Sequence, residues 1–222
     1  MAAAARRAWI AGVTGGIGSG KTAFSRRLAG RSGHLVDADR IAARLTDSDR
    51  TVRKKLAEVF GERIFKASGR LNRGLVASIV FDSPAALRAL NRIMWPALVR
   101  AIRAEIRRLH RQSPGTPLIL DMAVLCETGC DRLCDTVVTV HAPMQLRFRR
   151  LRESRGWDDG HIRLRMAAQM SDKDRMERSD FIVDNDGTPA ELGGKARDFR
   201  QLLNSAFPGK PVSNPVRTEK DR

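Results

Sequence analysis

Gly15-Gly16-Ile17-Gly18-Ser19-Gly20-Lys21-Thr22 decides how the rest of the chain is read. The stretch fits the phosphate-loop pattern G-x-x-x-x-G-K-[ST] at every fixed position. Its flanks fit as well. Apolar Ala8-Trp9-Ile10-Ala11-Gly12-Val13 comes first as a candidate buried strand, and Ala23-Phe24-Ser25-Arg26-Arg27-Leu28 follows with helical spacing. Glycines let the backbone curl so that several N–H groups point inward, and a helix beginning at Lys21 adds its positive end. Anions settle readily in such a place. Gly16, Gly18, Ser19, Gly20, Lys21, Thr22 and Ala23 are therefore the candidate phosphate-binding residues, with Lys21 reaching the β- and γ-phosphates and the Thr22 hydroxyl holding Mg²⁺. A plain glycine-rich turn is the competing reading, and the complete pattern with both flanks argues against it. The stretch points to a nucleoside triphosphate as ligand.

Working outward, Gly30-Arg31-Ser32-Gly33 reads as a turn and His34-Leu35-Val36 as a short strand. That strand delivers Asp37-Ala38-Asp39 at its carboxyl end, where open α/β sheets place their chemistry. A helix begins near Ile41, and from about 51 to 111 the pattern is helical throughout. Helices are expected at 51–60, 73–81 and from the Ser83-Pro84 cap onward, with Pro96 interrupting before a further basic helix. Leu118-Ile119-Leu120-Asp121 is an apolar strand ending in a carboxylate, the shape of a second magnesium-site strand. Thr136–Val140 is another buried strand. An arginine-rich helix from Met144 to about Ser154 comes next, then a helix to Gln169, a short helix capped by Ser171 and Asp174, a strand at 181–184 and a helix at 189–205. Strands alternating with helices give an α/β fold, a five-stranded parallel sheet flanked by helices on both faces. The expected organisation is one kinase-type domain over 6–207, with a helical acceptor-binding insertion at about 50–112, a lid at about 144–179 and a flexible tail over 208–222.

Bulk properties narrow the class. The 222 residues suit one domain with a core of its own. No apolar run approaches the ~20 residues of a membrane span, and the N-terminus lacks the layout of a secretory signal, so the cytoplasm is the default location. The formal net charge of +16 favours polyanionic partners. No zinc-finger, RNA-recognition or helix-turn-helix signature accompanies it, so nucleic acid is not the expected partner, nor is a membrane. Cys126, Cys130 and Cys134 recur at helical spacing and read as small apolar side chains along one helical face rather than a zinc site.

Within phosphate-loop chemistry, a guanine-reading N/T-K-x-D segment is absent, which argues against a GTPase. Asp37 and Asp39 lie past the second strand, where one of them could deprotonate an acceptor hydroxyl; capping of the next helix is the alternative role, and the two roles can coexist. The arginines from 147 to 155 suit a lid closing over phosphates, or a solvated basic face.

These residues resemble the dephospho-coenzyme A kinase family. The segment from Val13 to Thr22 looks like that family's loop, and Val36-Asp37-Ala38-Asp39-Arg40-Ile41-Ala42 looks like its second motif. Leu71-Asn72-Arg73, Leu75, Ile79-Val80-Phe81 and Leu90-Asn91-Arg92-Ile93 are similar to its coenzyme-domain helices. Leu125 and Glu127 fall in a further motif, and Arg150-Leu151, Gln169-Met170 and the run from Asp180 to Gly187 complete the pattern. The resemblance implies a nucleoside-monophosphate-kinase-like architecture with an acceptor subdomain and lid. It implies transfer of the ATP γ-phosphoryl to the ribose 3′-hydroxyl of dephospho-coenzyme A. Lys21 and Thr22 would serve ATP and Mg²⁺, Asp39 or Asp37 would serve the acceptor hydroxyl, and Arg150 would be the lid arginine; Asp121 stays a candidate Mg²⁺ ligand from its place at the strand end alone. Asn72, Arg73 and Glu127 would contact the acceptor. A monomer is the default state. The chain departs from the family at Trp95-Pro96 (commonly His-Pro), Ala123 (proline), Arg147 (the lid glutamine), Ser154 (a second lid arginine) and Arg175 (lysine), with Arg152 and Arg155 near enough in sequence to supply the charge missing at Ser154. A kinase for another small nucleoside or nucleotide, and a non-catalytic nucleotide-dependent nucleic-acid binder, are the alternatives.

Overall fold

The computed structural model describes residues 6–208 and 210–211. Five strands form the main sheet: β1 (Ile10–Thr14), β2 (His34–Asp37), β3 (Leu118–Asp121), β4 (Thr136–His141) and β5 (Phe181–Asp184). Their order is β2-β3-β1-β4-β5. β1 runs parallel to both β3 and β4, with Val13 opposite Asp121 and Val138, and β5 runs parallel to β4. The central strand is buried along its whole length, as a strand covered on both faces must be. Lys210–Pro211 also pairs antiparallel with Arg6–Arg7; of the expected tail, residues 209 and 212–222 lie outside the described residues, as do the first five.

One face of the sheet is built on Trp9, Ala11, Val13, Ile119, Val138 and Val140. These pack against Phe24 and Leu28 of α1 (Lys21–Ala29) and against Leu192, Ala196, Phe199 and Leu203 of the last helix, Pro189–Ala206. The opposite face of β1 carries Gly12, where a Cβ would stand 2.7 Å from both Cys134 Sγ and Leu125 Cδ2. Glycine is required there because the segment after β3 crosses against the strand backbone. This segment corrects the expectation for the cysteines, which do not line a helix. Cys126 lies in a run of turns, Gly129 takes φ 71°, and a 3₁₀ turn spans Cys130–Leu133. All three are buried free thiols even so. Burial pushes the Cys126 thiol up to about 11 and Cys134 well above its ordinary value.

The chain divides into two compact units, Met1–Val36 with Glu105–Arg222, and Asp37–Ala104. The second is helical: α2 (Ala38–Ser48), α3 (Arg50–Phe60), α4 (Arg73–Phe81) and the first two-thirds of α5 (Pro84–Gln112). Val52 and Leu56, Ile64, Val76 and Val80, Met94 and Ala97 make its core. The expected break at Pro96 does not occur: α5 runs through it. Proline deletes one backbone donor, but Met94, Ala97, Leu98 and Ile102 are buried around it and hold the helical path. The remaining helices are α6 (Met144–Arg155), α7 (Asp159–Ala167), α8 (Asp172–Glu177) and α9, the Pro189–Ala206 helix.

Candidate active site

Strand β1 ends at Thr14 and α1 begins at Lys21, so the glycine-rich loop fills the turn between a buried strand and a helix N-terminus. Gly18 and Gly20 have φ of 80° and 89°, which only glycine adopts without strain. Gly20 is the α1 N-cap and offers no side chain, and no acidic residue stands in the first turn. The first N–H groups of a helix have no partner inside it, so the positive end of α1 faces an anion without competition. Thr22 and Ala23 sit half-buried in that first turn.

Lys21 Nζ is ion-paired with Asp121 at the end of β3; Asp121 is 2% exposed. Lys21 and Asp121 thus meet at the carboxyl end of the inner strands, with Thr22 beside Lys21 in the first turn of α1. The Ser19 hydroxyl is buried with no hydrogen-bond partner among the described residues, and so is Nη1 of Arg150. The other Arg150 nitrogen, Nη2, donates to the Asn185 carbonyl at 3.0 Å. Asn185 in turn donates from Nδ2 to the Ser19 carbonyl at 2.7 Å. A Cβ on Gly20 would collide with that amide. Arg150 therefore reaches the loop through one intermediary and keeps a buried donor uncommitted. A set of loop amides, a lysine, a hydroxyl and a spare guanidinium nitrogen suits a chain of phosphates. Thr22 and Asp121 are oxygen donors of the kind Mg²⁺ takes alongside phosphate oxygens, and no cluster of three or more metal-ligating side chains occurs among the described residues.

The arginine-rich helix divides its labour in a way the sequence did not reveal. Arg147 is 4% exposed, donating from Nε to the Ile17 carbonyl at 2.8 Å and from Nη1 to Asp172 at 2.7 Å. Arg175, 1% exposed, donates to the Met170 carbonyl and lies 3.7 Å from the other Asp172 oxygen. Burial pulls the Arg175 guanidinium down from its ordinary value, against the opposing pull of Glu127 and Asp172. Arg152 forms a bidentate pair with Asp159 at the start of α7, and Arg155 lies 5.8 Å from the Trp157 ring, so both arginines near Ser154 are engaged. Glu127 accepts from the Met170 N–H at 3.3 Å. Ala123, where the resemblance expects proline, gives its carbonyl to the Thr14 hydroxyl at 3.1 Å.

In the helical unit, Asp37 accepts from the Arg40 N–H at 3.0 Å and caps α2, while Asp39 is exposed in the first turn. Asn72 caps α4 through Leu75, and exposed Arg73 lies 3.8 Å from Asp47. Trp95 packs half-buried on the apolar core. Residues whose part at the loop went unread are Asn185, Gln169 and Arg147. For Asn185 a signal existed, a polar residue just past the end of a sheet strand.

The family model for dephospho-CoA kinase matches residues 9–191. A dephospho-CoA kinase of Corynebacterium diphtheriae is 39% identical over 86% of this chain and 96% of its own. One from Anaeromyxobacter dehalogenans is 36% identical over 94% and 99%. A solved Thermus thermophilus structure superposes with a TM-score of 0.71 at 26% identity, covering 90% of this chain and 98% of that one.

Proposed function

The chain belongs to the dephospho-CoA kinase family, and from that premise we propose that it moves the γ-phosphoryl group of ATP to the ribose 3′-hydroxyl of dephospho-coenzyme A, giving coenzyme A. The observation that carries the ATP half is the loop itself: Lys21 beside Asp121, with buried and uncommitted donors on Ser19 and Arg150 around it. The loop amides bind and orient the phosphates. Lys21 and Arg150 neutralise charge that builds on the transferred group, which is where most phosphoryl-transfer catalysis resides. Thr22 and Asp121 would hold Mg²⁺, whose contribution when bound is to offset the negative charge of the β- and γ-phosphates.

For the acceptor, Asp39 or Asp37 takes the hydroxyl proton in this reading; Asp37 also caps α2 through Oδ1, and the two roles are compatible. Asn72, Arg73 and Glu127 contact the acceptor in this reading. A strongly cationic chain suits two phosphate-rich substrates. No helix among the described residues is long and apolar enough to cross a membrane, and the three free thiols fit a reducing compartment such as the cytoplasm.

The test is ADP formation from Mg-ATP with and without dephospho-coenzyme A, with the product identified by mass. Acceptor-dependent ADP and a product heavier by one phosphoryl group support the proposal. Equal ADP formation without the acceptor overturns it in favour of another phosphate-loop activity.

A further inference from the structure

We propose that Arg147 is a positioning residue for the nucleotide: it sets the orientation of the Ile17–Gly18 peptide and thereby presents the Gly18 N–H to the phosphates. The inference rests on the reading above only in taking ATP as the ligand.

Ile17 is held at three points. Its side chain packs with Phe148, Leu151 and Ile162 of α6 and α7. Its N–H donates to Gln169 Oε1 at 2.9 Å, and its carbonyl accepts from Arg147 Nε at 2.8 Å. A peptide unit is planar and trans, so its C=O and the following N–H point to opposite sides. Drawing the Ile17 carbonyl toward Arg147 therefore turns the Gly18 N–H away from it. Asn185 does the same two residues later, since holding the Ser19 carbonyl directs the Gly20 N–H the other way.

The fixation is needed because glycine peptides flip at little steric cost. Gly18 and Gly20 both have positive φ, and Gly16 has no Cβ to limit it. Arg147 also fits this loop alone: a Cβ on Gly16 would run into its guanidinium, and one on Gly18 would stand 3.1 Å from its carbonyl. Arg147 is in turn held from behind by Asp172, so the fork spans a fixed carboxylate and a loop carbonyl. A lysine carries the same charge but has a single nitrogen and cannot reproduce that fork.

The experiment compares R147K and D172N with the parent chain, measuring direct ATP affinity by calorimetry without acceptor, KM for each substrate, and the urea midpoint. R147K is expected to weaken ATP binding and raise the ATP KM about tenfold or more, with the acceptor KM within about twofold. D172N, which loosens the rear anchor and leaves the Ile17 contact, is expected to shift ATP affinity by about threefold. A folded R147K with unchanged ATP affinity, or one whose two KM values rise together, overturns the proposal. If R147K does not fold, D172N decides, because unchanged ATP affinity there breaks the chain of contacts. Binding of ATP by the parent chain with no transfer to dephospho-coenzyme A would remove the acceptor reading and leave this one standing.

Discussion

The phosphate loop and the helical unit of residues 37–104 keep their candidate residues in place by opposite means. At the loop, the chemistry sits on backbone amides, and these are fastened by side chains distant in sequence: Gln169 and Arg147 on Ile17, Asn185 on Ser19. Each fastener is polar, and Arg147 and Asn185 are buried, so removing one leaves an unpaired group in a low-dielectric setting. In the helical unit the order comes from an apolar core of Val52, Leu56, Ile64, Val76, Val80, Met94 and Ala97. Its candidate residues stand at helix starts on top of that core: Asp37 and Asp39 at α2, Asn72 and Arg73 at α4. A side chain at a helix start can change without disturbing the core. A buried fastener cannot. Substitutions at the loop should therefore couple function to stability, and substitutions in the helical unit should separate them.

The largest effect is expected from Lys21→Ala. It should lower turnover by about 10³-fold, from loss of charge stabilisation in the transition state. It should also destabilise the fold by roughly 3–5 kcal/mol, because Asp121 is left as a buried carboxylate without its cation. Adding Asp121→Asn should restore most of the urea midpoint and none of the turnover. Recovery of neither would mean that Lys21 holds the loop by something other than this ion pair.

The contrasting case is the Asp37 and Asp39 pair. Asp39→Asn should cost about 10²–10³-fold in turnover, the signature of a lost general base. Asp37→Ala should do the reverse, removing about 1 kcal/mol of stability with the α2 cap and leaving turnover within a few fold. The opposite pattern would assign the base to Asp37. Between these extremes, Asn185→Ala should cost about 1–3 kcal/mol through the unpaired Ser19 carbonyl and should weaken ATP binding in parallel. Lost stability with unchanged ATP affinity would show that the Ser19 peptide needs no external hold.

How far the sequence went follows from the same contrast. The strands were legible because apolar runs ending in turn residues leave few options, and the helix at 73–81 matched to the residue. The loop was legible because lysine and threonine at fixed offsets from glycine have one common use. What was not legible depends on contacts across long separations. Nothing about Arg147 distinguishes it in sequence from exposed Arg149, two residues away, yet it is bonded to a residue 130 positions earlier. Pro96 misled because local backbone chemistry predicts a break, and the burial of Met94, Ala97, Leu98 and Ile102 overrides it. The cysteine spacing misled for a related reason: Cys126 lies in turns and Gly129 at positive φ precedes Cys130, so no one helix carries even two of the thiols.

The last prediction concerns those thiols, and it extends the contrast to pH. Cys126 titrates near 9.0 when unburied and is pushed to about 11 in the fold, chiefly by burial, with Asp131 and Glu127 adding to it. The folded state thus resists forming the thiolate that the unfolded chain forms readily. A raised thiol contributes its stability fully below about pH 9, and the contribution disappears as pH climbs toward about 11. Its size, from a shift of about two units, is roughly 2–3 kcal/mol. Urea unfolding of the parent chain and of Cys126→Ser, at pH 8 and at pH 10.5, isolates it, since other titrations cancel in the difference. The parent should lose more stability than the variant across that interval. Because the folded chain keeps Cys126 largely protonated up to about pH 11, this thiol should leave the ATP affinity of the folded chain unchanged over the same interval. Equal losses of stability in the parent and the variant would remove Cys126 as the source of the pH dependence.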